Sequence, residues 1–129
     1  PSIFMGDEIG LEGKSGEDSR RTINWEDRSG WDYEFFNEVK KLTKIRRTED
    51  ALINGGLRWV AAEDNYLAFL RESKKSKVLV VITRKACSVD IDLSKLGYKI
   101  SKTLYGQRVI GSKIKFKATG ATQGVYKLS

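Results

Sequence analysis

Residues 6–25 concentrate the groups able to do chemistry: Asp7, Glu8, Glu12, Glu17 and Asp18 with Lys14, Arg20 and Arg21, punctuated by Gly6, Gly10, Gly13 and Gly16. Such a loop offers carboxylates and planar guanidinium forks to hydroxyl groups or to neighbouring charges. It does not offer a nucleotide site. Gly13-Lys14-Ser15 copies the end of a phosphate-binding loop, but that motif requires a glycine five positions before Gly13, where Glu8 stands, and Asp7, Glu8 and Glu12 repel a phosphate. The chain has no histidine and one cysteine, Cys87, so these residues hold no Ser-His-Asp or Cys-His arrangement, no histidine-ligated metal and no internal disulfide.

The elements that must position this loop lie on either side of it. Residues 1–5 are apolar enough for a buried strand, and Gly6 to Gly10 turn the backbone out of it. Residues 31–47 read as a helix. Phe35, Val39, Leu42 and Ile45 form its apolar stripe, Asp32 caps its start, and Glu34 and Arg46-Arg47 sit at the matching ends of its dipole. Strand, carboxylate-rich loop and amphipathic helix make one unit of a parallel α/β sheet or barrel. A lone unit cannot close a barrel or cover a parallel strand on both faces, so residues 1–50 read as the end of a larger domain and the chain as a fragment.

After Gly55-Gly56 the texture changes to short alternating runs at 57–61, 66–71, 78–83, 87–93, 100–104, 108–110, 113–117 and 124–128. Turn-forming sets separate them, Glu63-Asp64-Asn65, Ser73 to Ser76, Gly97, Gly106, Gly111-Ser112 and Thr119-Gly120 among them. The spacing predicts an antiparallel β-sandwich of Greek-key type over residues 51–129, with the 78–82 run as a central strand buried on both faces. The whole is mainly β, one helix and a barrel remnant preceding the sandwich.

The net charge of +7 divides unevenly. Residues 1–64 carry ten Lys and Arg against fourteen Asp and Glu, giving −4, and residues 65–129 carry fourteen against three, giving +11. A basic β-domain invites a nucleic-acid reading. The lysines alternate with apolar residues, however, as in Lys113-Ile114-Lys115-Phe116-Lys117, and lysine on a strand's solvent face also blocks edge-to-edge pairing. The expectation is no nucleic-acid partner. No stretch approaches the eighteen or so apolar residues of a membrane helix, so no membrane partner is expected either, and the lone cysteine points to the cytoplasm.

The run from Pro1 to Leu11, with Pro1, Gly6, Glu8 and Gly10 in step, followed by Asp18-Ser19-Arg20-Arg21-Thr22-Ile23-Asn24-Trp25, resembles the last barrel strand and following loop of the α-amylase superfamily of glycoside hydrolases. There the pattern is Gly-x-Pro-x-x-Tyr-x-Gly-x-Glu-x-Gly, then Arg-x-Pro-Met-x-Trp, clearest in neopullulanases, cyclomaltodextrinases and α-glucosidases. Phe4 and Met5 stand where aromatic residues are usual, Thr22-Ile23 replaces Pro-Met, and Gly16 stands where an aspartate is frequent. The helix resembles the eighth barrel helix, and residues 57–128 the β-domain that follows the barrel.

The resemblance implies a parent enzyme that cleaves α-glucosidic bonds of maltooligosaccharide-type substrates with retention. It places Asp7 and Glu8 on the barrel-mouth loop and Arg20, with Asp18, on the substrate side. For Arg20 and Arg21, surface pairing with Glu17, Asp18 or Asp27 is the competing reading. Trp25, which precedes the helix rather than the loop tip, suits packing under the loop better than stacking on a sugar. Retaining cleavage uses two carboxyl groups about 5 Å apart. In the resembling enzymes the catalytic Asp, Glu and Asp lie on earlier barrel strands, which would precede Pro1, and Asp7 and Glu8, adjacent on leaving a strand, point to opposite sides. The fragment alone is therefore expected to be inactive. No cofactor is expected; calcium in the full-length enzyme stays open.

Two expectations complete the reading. Trp59, Tyr66, Tyr98, Tyr105 and Tyr126 would supply stacking faces if the sandwich were a free-standing carbohydrate-binding module, although strand aromatics more often pack. The truncated apolar N-terminal segment, with Ile3, Phe4, Met5 and Ile9, favours self-association or swapping.

Overall fold

Strands of alternating pattern dominate the computed structural model, which describes residues 2–129. Two compact units are present, one ending at Lys44 and one running from Ile45 to Ser129.

In the second unit, seven strands form two antiparallel sheets. They are β1 (Gly56–Ala62), β2 (Tyr66–Glu72), β3 (Lys77–Thr83), β4 (Cys87–Asp92), β5 (Ile100–Tyr105), β6 (Lys113–Ala118) and β7 (Thr122–Leu128). The larger sheet has the order β1-β2-β3-β7-β5, and the smaller one pairs β4 with β6. The period-2 pattern sends Ala68, Leu70, Leu79, Val81, Tyr126 and Leu128 of the large sheet inward against Val89, Ile91 and Ile114 of the small one, which makes a sandwich core. The fold is mainly β, as the alternation requires.

Three details depart from expectation. The piece at 108–110 is not a strand: Ile110 faces solvent, Val109 donates its N–H to Thr103 Oγ1 (3.1 Å), and only Gly111 bridges back to Ile100. The central strand β3 buries Val78, Leu79 and Val81 but leaves Ile82 exposed, so it is not covered on both faces along its length. A short helix α2 (Asp50–Asn54) stands where a plain connection was expected, joined to the β2–β3 turn by the Ala51 N–H donated to Ser76 Oγ (2.8 Å). It packs on β2 and β3 and buries Ala51 and Leu52.

The first unit carries the loop and most of helix α1 (Tyr33–Thr48). Asp32 caps α1 as expected, its Oδ1 accepting the Phe35 N–H at 2.9 Å. Of the expected strand at 1–5, Pro1 lies outside the described residues, and residues 2–5 are not a strand; Ile3, Phe4 and Met5 are exposed. The physical reason is the absence of neighbours, since an unpaired strand leaves its backbone groups without ladder partners.

Candidate functional site

The loop is built on the Gly6-Asp7-Glu8-Ile9-Gly10 segment. Gly6 (φ 93°) and Gly10 (φ 69°) both take the left-handed conformation, which lets Asp7–Ile9 form one 3₁₀ turn between them. Ile9 is buried, and its carbonyl accepts the Asp32 N–H at 3.0 Å, tying the turn to the start of α1. Asp7 Oδ2 accepts the Phe4 N–H (2.8 Å) and Glu8 Oε2 the Gly6 N–H (3.0 Å). Both carboxylates are thus engaged with backbone donors of their own turn.

Beyond the turn, Glu12, Gly13, Lys14, Asp18 and Arg21 line an open depression. Asp18 Oδ2 accepts the Lys14 N–H at 2.9 Å, so the backbone donor that a phosphate-binding loop would present is spent within the chain. Arg21 staples the loop. Its Nε donates to the Asp18 carbonyl (2.9 Å), its Nη2 donates to the Glu12 carbonyl, and Nη2 lies 3.7 Å from Asp18 Oδ2.

Arg20 points elsewhere, with its Nη1 3.4 Å from Glu17 Oε1 in an exposed pair three residues apart in the loop. Asp18 and Arg20 are therefore not brought together by a direct bond: Asp18 faces Lys14 and Arg21, and Arg20 faces Glu17. Trp25 is exposed rather than packed under the loop. Its ring meets Trp31 edge-on at 5.5 Å and 76°, Trp31 in turn meets Phe36 at 5.7 Å, and the Arg28 guanidinium lies over Trp31 at 5.0 Å. Asp27 is held below the usual carboxylate range by the Ser29 backbone N–H and the Ser29 hydroxyl.

A polar cluster that local sequence reasoning missed sits in the sandwich. Arg58 donates two bonds to Glu72, from Nε (2.9 Å) and Nη2 (2.8 Å), and the Tyr98 hydroxyl donates a third to Glu72 Oε1 at 2.7 Å. The hydrogen bonds from Arg58 first, and that from Tyr98, hold the Glu72 carboxyl below its ordinary range, while the bond to Glu72 raises Tyr98. A carboxylate that accepts three hydrogen bonds, two from Arg58 and one from Tyr98, ties together the segments that carry them. Among the described residues, no group of three or more Asp, Glu, Cys or His is placed to hold a metal ion.

The basic strand β6 is also accounted for. Across the β4–β6 register Lys113 lies 3.7 Å from Asp92 and Lys115 3.3 Å from Asp90, so two of the three outward lysines of β6 face a carboxylate, while Lys117 opposes Ser88. Of the five aromatics weighed as sugar platforms, Tyr126 is fully buried, Tyr98 is tied to Glu72, and Tyr66 and Tyr105 are half-buried. Trp59 is the exposed one, standing edge-on to Phe69 at 5.6 Å.

No protein-family model matches the chain. Individual proteins do. A cyclomaltodextrinase of Thermoanaerobacter pseudethanolicus is 35% identical over 86 residues, covering 67% of this chain and 15% of that protein. A cyclomaltodextrinase of Geobacillus thermopakistaniensis is 29% identical over 112 residues, 84% of this chain and 19% of that protein. The crystal structure of an Anoxybacillus α-amylase superposes with a TM-score of 0.76 at 27% identity, over 96% of this chain and 28% of that one. This chain's homologues are α-amylase-family glycoside hydrolases. It spans less than a fifth of the length of the two α-amylase-family cyclomaltodextrinases. The likeness to the α-amylase structure extends over nearly all of this chain, loop, helix and sandwich included.

Proposed function

We propose that the chain is the C-terminal part of an α-glucan-acting glycoside hydrolase that cleaves α-glucosidic bonds of maltooligosaccharides with retention. Residues 1–50 are the last strand-loop-helix unit of its catalytic barrel and residues 51–129 a β-domain that covers and stabilises the barrel. The observation that carries this reading is the pairing of high coverage of this chain with low coverage of its relatives: 84% against 19% for one cyclomaltodextrinase. The chain has no catalytic centre of its own, because Asp7 and Glu8 serve as acceptors for the backbone of their own turn. Arg20 and Asp18 face substrate in the assembled enzyme, Arg20 exchanging its exposed pairing with Glu17 for sugar hydroxyls.

The test is a comparison of the 129-residue polypeptide with the longer parent on maltoheptaose. The polypeptide alone releases no reducing sugar, the parent releases α-configured products, and Arg20→Ala in the parent weakens turnover by ~10-fold or more, the scale of a lost charge-assisted hydrogen bond. Turnover by the polypeptide alone sinks the proposal. A free-standing carbohydrate-binding sandwich predicts instead saturable maltoheptaose binding that Trp59→Ala abolishes, Trp59 being the one exposed aromatic among the five weighed.

A further inference from the structure

A crevice of about 320 Å³ opens where the chain crosses from β6 in the small sheet to β7 in the large one. Its volume lies at the small end of the ~300–1,000 Å³ range of ligand sites. One wall is β6, with Phe116 half-buried and Lys117 at the rim, and the other is the start of β7, with Thr122 and Gln123; Gln107, from the turn after β5, closes it. Two contacts fix these walls. Thr83 Oγ1 donates to the Gly120 carbonyl at 2.8 Å and accepts the Thr122 N–H at 3.0 Å, which holds the crossover in place. Gly106 (φ 85°) turns in the left-handed conformation against β7, where an added Cβ would stand 2.3 Å from the Gln123 carbonyl oxygen, and this close approach brings Gln107 into the same crevice as Gln123. Tyr126 lines the bottom. Its ring is fully buried and lies back over Gly124, and burial alone pushes its hydroxyl up, with no charge or hydrogen bond of the chain contributing.

We infer that this crevice is a binding site for a neutral saccharide and takes the end of an α-glucan chain; the choice of glucan rests on the functional reading above. Three features select that class of ligand. The two carboxamides, Gln107 and Gln123, each offer donors and an acceptor, which suits hydroxyl groups, themselves both donor and acceptor. Gln123 Nε2 is engaged only weakly, donating to Tyr105 Oη at a long 3.4 Å, so a sugar hydroxyl can take its place. Lys117 is the one charged side chain among the described residues that line the crevice, too little for a phosphate, which is held by several charge-assisted bonds. Phe116 adds an apolar wall beside these polar groups, the mixture on which a sugar ring settles with its C–H face on carbon and its hydroxyls on amides. An apolar side chain entering instead would strip the amides and the Tyr126 hydroxyl of water and return no bond.

The experiment titrates the 129-residue polypeptide with maltotriose and follows residue-resolved amide shifts. Saturable shifts are expected at Gln107, Lys117, Thr122 and Gln123. The double variant Gln107→Ala, Gln123→Ala weakens binding by roughly 10-fold or more and leaves Tm within about 2 °C, because both side chains are exposed. Tyr126→Phe keeps the buried ring, loses the hydroxyl and weakens binding by roughly 3–10-fold. Absence of saturable shifts, shifts centred on Trp59 or on Arg20, or an affinity that the double variant does not move overturns the inference. A stronger response to inorganic phosphate, abolished by Lys117→Gln, would make the crevice an anion site and overturns it as well. Hydrolysis of maltoheptaose by the parent is read separately. An inactive parent whose crevice still binds maltotriose loses the functional reading alone, and an active parent whose crevice stays silent loses this inference alone.

Discussion

Arg58 and Glu72, fourteen residues apart in sequence, meet on neighbouring strands through two parallel N–H···O bonds of 2.8 and 2.9 Å, and Tyr98 closes the group from the segment leading into β5. The fork fixes the open end of the β1–β2 pair, because Gly56 opposes Glu72 in the register. Glu72 is the hub, with its side chain less exposed than that of Arg58.

Glu72→Gln is expected to destabilise the sandwich by about 1–2 kcal/mol near neutral pH. Because the folded carboxyl is depressed, its contribution is present above the ordinary glutamate value near 4.3 and is lost as pH falls through the lower folded value. Urea titrations at pH 7 and pH 3 check this: the gap between wild type and variant narrows at the lower pH.

Tyr98→Phe removes one donor from the same carboxylate while keeping the ring. Tyr98 is raised by its bond to Glu72, so its contribution is full below the ordinary tyrosine value near 10 and disappears as pH rises through the folded value. The variant is expected to lose about 1 kcal/mol at pH 7 and to show a shallower fall in stability under alkaline conditions, measured by chemical denaturation between about pH 8 and 11.

Thr83 is buried, and its hydroxyl donates to the Gly120 carbonyl at 2.8 Å while accepting the Thr122 N–H at 3.0 Å. It pins the β6–β7 turn to the end of β3. Thr83→Val leaves both backbone groups without that partner and is expected to cost about 1–3 kcal/mol, read as a lower urea midpoint with an unchanged m-value.

Gly124 and Tyr126 share the inner face of β7, and the tyrosine ring lies back over the glycine: an added Cβ would stand 2.4 Å from Tyr126 Oη and 2.6 Å from Cε2. Gly124→Ala therefore displaces a fully buried ring and is expected to cost about 1–3 kcal/mol. Gly120→Ala, where an added Cβ meets nothing within 4 Å, is the matched control and should change stability by less than about 0.5 kcal/mol. Thermal melts of the two variants decide the point.

Arg21 and Arg20 are neighbours with different tasks. Arg21→Gln removes the staple between Glu12 and Asp18 and is expected to speed Glu-C cleavage after Glu12 and Glu17 by roughly 2–5-fold, whereas Arg20→Gln, losing an exposed pairing, leaves the rate nearly unchanged.

Much of the sandwich was legible because alternation and turn chemistry act locally. Seven of the eight expected runs are strands within a residue or two, and the eighth, 108–110, failed because Thr103 captured the Val109 N–H, a contact from outside the run. Helix α1 was legible from Asp32 and its stripe, while α2 was not, since a five-residue helix is held by Ser76, 25 residues away. The strand expected at 1–5 required neighbours that these residues do not supply. In the loop, residue types were readable but pairings were not: nothing in the spacing separates Arg20, turned to Glu17, from Arg21, turned to Glu12 and Asp18. The Arg58–Glu72–Tyr98 group was invisible for the same reason, as its members become neighbours only through strand pairing.

The placement of β7 between β3 and β5 has a consequence for biosynthesis. Strands β1 to β3 can zip together as soon as they leave the ribosome, each beside its predecessor, but β5 has no partner in its sheet until residues 122–128 have been made. Until then the nascent chain exposes the β3 edge and an unclosed core, the species most open to chaperones and to aggregation. A premature stop only a few codons before residue 122 would therefore leave no slightly shortened domain. It would leave two disconnected pieces of a sheet.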